Sequence, residues 1–245
     1  MNIPVDEPLA VAVGEAIRGG EVGTLQRLLL DHPGLATARL IDGRGVVRTL
    51  LHVVADWPGH FANGATSVAL LIAAGADVNA PTKHERGGVS GETPLHWAAS
   101  SGDVEVVDAL LDGGADIEAS GAVFTGGAPM SDAVVFAQWR AARRLLERGA
   151  TTTIWQAAAL GQLDRVRALC AAVLTPTREQ ISNALWNACR GGQQAVADYL
   201  LGCDAELNRI GHDHKTPLDA AIESGDAALI SWLRARGAKR AAELV

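Results

Sequence analysis

Asp56 and His60, with His52 one turn before Asp56, form the grouping best placed to pass protons, and Trp57 stands beside them. A carboxylate and an imidazole act as a general acid–base pair when both converge on one reacting atom. Such short-range Asp and His neighbours are common, so catalysis is the secondary reading. His212-Asp213-His214 offers two imidazoles and a carboxylate, but no further ligand stands nearby to complete a metal shell, and the tripeptide reads as a turn. Arg140, Arg144 and Arg148 recur every fourth residue, with Arg143 beside them, in the pattern of a solvated helix face. Cys170, Cys189 and Cys203 are odd in number and lack metal-ligand spacing; they read as reduced thiols of a cytoplasmic protein. No metal site and no cofactor is expected.

Composition narrows the classes of function. The chain has 245 residues, 21 basic and 28 acidic side chains and a net charge of −7. Clustered Lys and Arg are what phosphate contacts need, so nucleic acid is not an expected partner. No apolar run approaches the length of a membrane helix, so a membrane is not expected either. The first residues carry neither a basic region nor an apolar stretch, and no secretory signal is visible. Eighteen of the 21 basic residues are Arg, beside abundant Ala and Gly. All three have GC-rich codons, which suggests a bacterial source.

The elements that must position these side chains recur along the chain. Glu92-Thr93-Pro94-Leu95-His96-Trp97-Ala98-Ala99 is followed by Gly102, then by Leu110-Leu111 and Gly114-Ala115-Asp116. Thr93 is an N-cap, and Pro94 takes the first helical position, where a missing N–H costs nothing. Leu95, Ala98 and Ala99 share one face of a short helix. Val104, Val106, Val107, Leu110 and Leu111 form the apolar stripe of a second, which Gly114 ends in a left-handed cap. The octapeptide carries Thr-Pro-Leu-His-x-Ala and resembles the ankyrin repeat. Laid along the chain, that template covers approximately 6–40, 47–80, 91–119, 126–151, 152–175, 177–208 and 214–240. The resemblance implies an all-α solenoid of about seven stacked helix pairs, with short or missing β-hairpin fingers, as a single domain over 1–245. In such proteins the histidine of the motif, here His52 and His96, is structural; the template puts Trp155 and Trp186 in its place in later repeats.

Departures from the usual period of about 33 residues are informative. Successive repeat starts are 44 residues apart from Thr49 to Thr93, then 35 to Ala128, 24 to Thr152, 31 to Asn183 and 33 to Thr216. Insertions fall at Asp56–Gly64 and Pro81–Gly91, and a Gly-rich connection runs from Gly121 to Gly127. The short step leaves no room for a finger at 150–153. Thr177 and Gln180 have capping-box spacing, so one longer helix is expected from about Thr177 to Arg190. Fingers are thus expected early and late, with a gap between. His214 falls where the family prefers glycine, which fits a residue tolerant of positive φ.

Groove-facing positions in ankyrin proteins follow the Ala-Ala pair. Carried over residue by residue, they give Asp56 and Trp57, Ser100 and Ser101, Val135 and Phe136, Ala159 and Leu160, Arg190 and Gly191, and Glu223 and Ser224. Of these, Asp56, Trp57, Ser100, Ser101, Val135, Phe136, Leu160 and Arg190, with His60 of the first insertion, are the partner-binding candidates. The middle of this row is apolar where solvated residues would be polar, as a contact surface requires. The expected function is non-catalytic recognition of a protein or peptide in a concave groove. The alternative is a small-molecule site or enzyme, with a pocket closed by the inserted loops around Trp57, His60 and Phe136.

Overall fold

The computed structural model describes residues 1–85 and 91–244; part of the Pro81–Gly91 insertion, residues 86–90, lies outside them. Contacts divide the chain into two compact units, Met1–Ala150 and Thr151–Val245.

The first unit holds helices α1 (Pro8–Arg18), α2 (Val22–Asp31), α3 (Leu50–Ala55), α4 (Gly64–Ala73), α5 (Pro94–Ser101), α6 (Val104–Asp112), α7 (Pro129–Val135) and α8 (Trp139–Glu147). Each odd-numbered helix packs on the even one after it. The inner helices α1, α3, α5 and α7 stack side by side, as do the outer helices α2, α4, α6 and α8. No helix of six to eleven residues is stable alone; stacking buries Leu51, Leu95, Ala98, Ala99, Val107 and Leu145 completely. Local caps set the boundaries. In α3 and α5 the threonine hydroxyl and backbone N–H of the N-cap both meet the histidine three residues on, Thr49 with His52 and Thr93 with His96.

The fold is mostly helical, as expected, with one small sheet beside the helices. Four short strands, β1 (Asn2–Pro4), β2 (Arg39–Ile41), β3 (Val46–Thr49) and β4 (Lys83–His84), make one sheet in that order. β1 runs parallel to β2, with Ile3 opposite Leu40, and the other pairs are antiparallel. Ile3, Leu40 and Val47 are buried, and β3 packs on α3, so the sheet shares the core of the first unit. The early fingers are therefore present, and the N-terminus adds a strand to them.

The second unit holds α9 (Ile154–Ala159), α10 (Leu163–Cys170), α11 (Arg178–Arg190), α12 (Gln194–Gly202), α13 (Pro217–Ser224) and α14 (Ala227–Ala235). Helix α11 lies between α9 and α13, and α10 packs on α12. Its extra turn begins at the Thr177–Gln180 capping box, where the spacing of those residues puts it. No strand occurs at 150–153. The late finger is reduced to a turn: Gly211 N–H donates to the Lys215 carbonyl, and Asp213 and His214 both adopt positive φ. One register differs from expectation. The N-cap of α9 is Thr153, paired with Gln156, so Gln156 and not Trp155 stands in the histidine's place. The Thr152 hydroxyl is turned to Gln162 instead.

Ala99 is fully buried where α5 meets its neighbours. Ala99→Leu should overpack that contact and cost about 1–3 kcal/mol in urea unfolding. A change of a few tenths of a kcal/mol would place Ala99 outside the interface.

Candidate functional site

The C-terminal ends of α3, α5 and α7 lie along one rim of the first unit, because these inner helices stack in register. That rim carries most of the residues the sequence singles out.

Asp56 closes α3, and its carboxylate is held by Arg48 at 3.4 Å and Arg18 at 3.9 Å. The chain then turns tightly: Gly59 N–H donates to the Asp56 carbonyl, and the Trp57–Pro58 peptide is cis. Gly59 sits at φ +73°, where a Cβ would come within 2.9 Å of Ser101 Oγ; only glycine lets the loop lie on the end of α5. His60 N–H donates to Asp103 Oδ2, while Asp103 Oδ1 caps α6 through Val106 N–H. The inserted loop is thus pinned at both ends and presents Trp57 outward, 79% exposed.

The proton-passing grouping is not assembled. The carboxylate of Asp56 faces two arginines, and the imidazole of His60 lines a separate cleft of about 300 Å³ with Phe61, Asn63, Glu105 and Arg140. His52 is fully buried between Thr49 and the Glu92 carbonyl, and burial above all lowers its pKa to about 3. It is a neutral structural bridge, as the motif implies. His96 plays the same part toward the Gly127 carbonyl, its pKa lowered chiefly by burial.

Further along the rim, the Ser100 and Ser101 hydroxyls bond back to their own helix. Val135 is half-buried at the end of α7, and Phe136, the next residue, is 44% exposed. Phe124 lies against it, ring centroids 5.9 Å apart, and is itself largely exposed, as is Val123. The sequence reading missed these two. Their signal is two large apolar residues inside the Gly121–Gly127 loop, which closes on itself through Gly121, Ala122 and Gly126 N–H bonds and is tied down where Val123 N–H meets Glu92 Oε1. In α7, one turn before Phe136, Asp132 is buried and its Oδ2 lacks a hydrogen-bond partner. Desolvation, then repulsion from Glu92, raises the Asp132 carboxyl to about 8. Burial likewise raises Glu92, which accepts the Trp97 indole N–H.

Leu160 and Arg190 belong to the second unit. Leu160 is half-buried after α9, and Arg190 ends α11 with its guanidinium 5.7 Å over the Trp186 ring. In the arginine stripe, Arg144 and Arg148 share Asp108 of the neighbouring α6 and reach Glu147 and Asp112 respectively, while Arg140 lines the cleft beside His60. Among the described residues no cluster of three or more His, Cys, Asp or Glu could hold a metal, and no helix is long and apolar enough to cross a membrane.

Comparison with known proteins agrees with this architecture. The Ankyrin repeat family model matches residues 90–122. Mouse Rabankyrin-5 is 38% identical over 84 residues, 32% of this chain and 7% of that protein. An Ankyrin repeat and KH domain-containing protein of Caenorhabditis briggsae is 29% identical over 171 residues, 70% of this chain and 5% of that one. The chain therefore spans only a small part of these relatives. They are animal proteins and lend no support to the bacterial source that codon usage suggests. The crystal structure of the human ASB11 ankyrin repeat domain shares the fold, with a TM-score of 0.52 at 22% identity, over 94% of this chain and 97% of that one. Residues 90–122 thus match the Ankyrin repeat family, and the chain as a whole shares the fold of an ankyrin repeat domain.

Proposed function

We propose that the chain is a non-catalytic recognition protein, which binds a protein or peptide partner in a concave groove edged by the exposed aromatics of its first unit. One observation carries the reading: Phe124 and Phe136 touch one another while 69% and 44% exposed. An ordered loop that holds a large aromatic ring in water gains nothing from it in the isolated chain, whereas a partner can bury it. Trp57, at the end of α3, extends the same rim. Ankyrin repeats mediate contacts between proteins, which is the coarse class this reading refines. Asp56, His60, Ser100, Ser101 and Val135 flank the aromatics as secondary contacts, and Leu160 and Arg190 are contacts of the same kind in the second unit. We place the protein in the cytoplasm and read its helices as seven repeats of one domain; a single cooperative unfolding transition supports that division, and two separate transitions overturn it.

A small-molecule pocket around Trp57, His60 and Phe136 has less behind it. Two of the three stand open to solvent, and His60 faces another cleft.

The test starts by capturing partners on the immobilised chain, with a Trp57→Ala/Phe124→Ala/Phe136→Ala variant as the control. Calorimetry with the captured partner should then show losses of about thirtyfold, or 2 kcal/mol, for Trp57→Ala and for Phe136→Ala. Arg144→Ala should leave affinity nearly unchanged, since Arg144 is engaged with Asp108. If Arg144→Ala weakens binding more than both aromatic changes, the rim is the wrong surface. Turnover of a small molecule, abolished by His60→Ala with binding kept, would establish the enzyme reading instead.

A further inference from the structure

We propose that a cleft between α1, α3 and the sheet receives an acidic side chain of the partner, with Arg18 and Arg48 as the groups that grip its carboxylate. This rests on the reading of the neighbouring rim as a protein-binding surface. The cleft, of about 170 Å³, is walled by Val11, Leu40 and Val53, with Arg18 of α1 and Arg48 of β3 in its lining. Pockets that enclose a whole small molecule run to about 300–1,000 Å³, so this one is sized for a side chain. Its two arginines lead to the rim through Asp56, the residue before Trp57.

The arginines are short of acceptors. Among the described residues, Asp56 alone pairs with either, at 3.4 Å from Arg48 and 3.9 Å from Arg18. Where guanidinium and carboxylate meet closely in this chain, at Arg144 and Arg148 with Asp108, the distances are 2.7 and 2.8 Å. Arg48 donates to Asp56 through Nη1, while its Nε–H is buried without a partner. Its guanidinium carbon lies 5.9 Å from the Trp97 ring centroid, a contact that steadies the group without using an N–H. A buried charged donor without an acceptor is unfavourable, and a second carboxylate supplies one. Glu15, the other acid in the lining, is exposed and pairs with neither arginine. Gly14 fits the same picture. It sits mid-helix in α1, where glycine weakens a helix and no positive φ calls for it, and a Cβ there would come within 3.2 Å of Arg18 Nη1. The missing methyl leaves room for the guanidinium.

The probe is sodium propionate, the glutamate side chain without its backbone, titrated into the full chain with isotopically labelled arginine at constant ionic strength in sodium chloride. The Nε–Hε resonances of Arg18 and Arg48 should shift together and saturate with one dissociation constant in the millimolar range. Arg18→Gln and Gly14→Ala should each weaken that binding about tenfold. Neither should lower the melting temperature, and Gly14→Ala should raise it. Formate, which lacks the alkyl stem, and inorganic phosphate should bind several-fold more weakly, because the walls are apolar. The Trp57→Ala/Phe124→Ala/Phe136→Ala variant should bind propionate as the natural chain does, which separates the cleft from the rim. Saturating propionate should weaken the affinity of the captured partner about tenfold. Should Arg144→Ala show the aromatic rim to be the wrong surface, that competition still decides the cleft. Resonances that do not move, an equal response to sodium chloride, or phosphate binding as tightly as propionate overturns the proposal. Propionate that binds and leaves the captured partner unaffected overturns it too, and makes the cleft a site for a free acid.

Discussion

Asp132→Asn should stabilise the protein by about 4 kcal/mol at pH 7 and change it little at pH 4. The carboxyl is buried, one oxygen has no partner, and Glu92 adds repulsion. Its folded pKa, about 8, stands well above the ordinary carboxyl value of 3.8 that holds in the unfolded chain. Unfolding therefore releases a proton between these values, and stability falls as pH rises from 3.8 through 8. At pH 7 about three pK units of that difference are expressed, at roughly 1.4 kcal/mol each. Asparagine has the same shape and no ionised form to disfavour. The measurement is urea unfolding of both proteins from pH 4 to 8.5. Parallel stability curves would mean that Asp132 is ionised in the fold, with a counter-charge or water reaching its free oxygen.

His52→Gln should have the opposite pH signature, relieving about 3 kcal/mol of acid destabilisation at pH 4.5. Burial holds the folded imidazole at about 3, whereas the unfolded side chain titrates at 6.5. A depressed folded pKa contributes stability above 6.5 and loses it as pH falls toward 3; two units below 6.5 the loss is about 2.7 kcal/mol. Glutamine is the apt replacement because Gln156 already closes the equivalent cap at Thr153 through Oε1. The variant should cost a little at pH 8, where the bond to the Glu92 carbonyl is perturbed, and overtake the natural chain on acidification. The two predictions are coupled. Between pH 4 and 6.5 the histidine slope and the Asp132 slope oppose each other, so the natural chain's stability should look flatter than either variant's. A His52→Gln curve parallel to that of the natural chain would show that the buried imidazole is charged.

The sequence by itself determined what short-range chemistry controls. Thr-Pro starts, Ala-Ala pairs and glycine stops place helix boundaries within about ten residues of one another, and capping, helical hydrogen bonds and left-handed turns are completed locally. The longer helix at Thr177, the absence of strands at 150–153 and the positive φ of His214 were legible for the same reason. So was the outward placing of Trp57 and Phe136, which follows from their register after the inner helices. Tertiary structure decided whatever depended on distant partners. Asn2–Pro4 has no strand signal of its own and becomes one because Arg39–Ile41 offers a free edge. Either Thr152 or Thr153 could cap α9 locally; the choice fell to the one that lets Gln156 be buried while Gln162 takes the other hydroxyl. The meeting of Phe124 with Phe136 and the stranded carboxyl of Asp132 each depend on residues from separate repeats or loops. Their burial and their pKa values arise from neighbours that the chain brings together only on folding, and no local spacing encodes them.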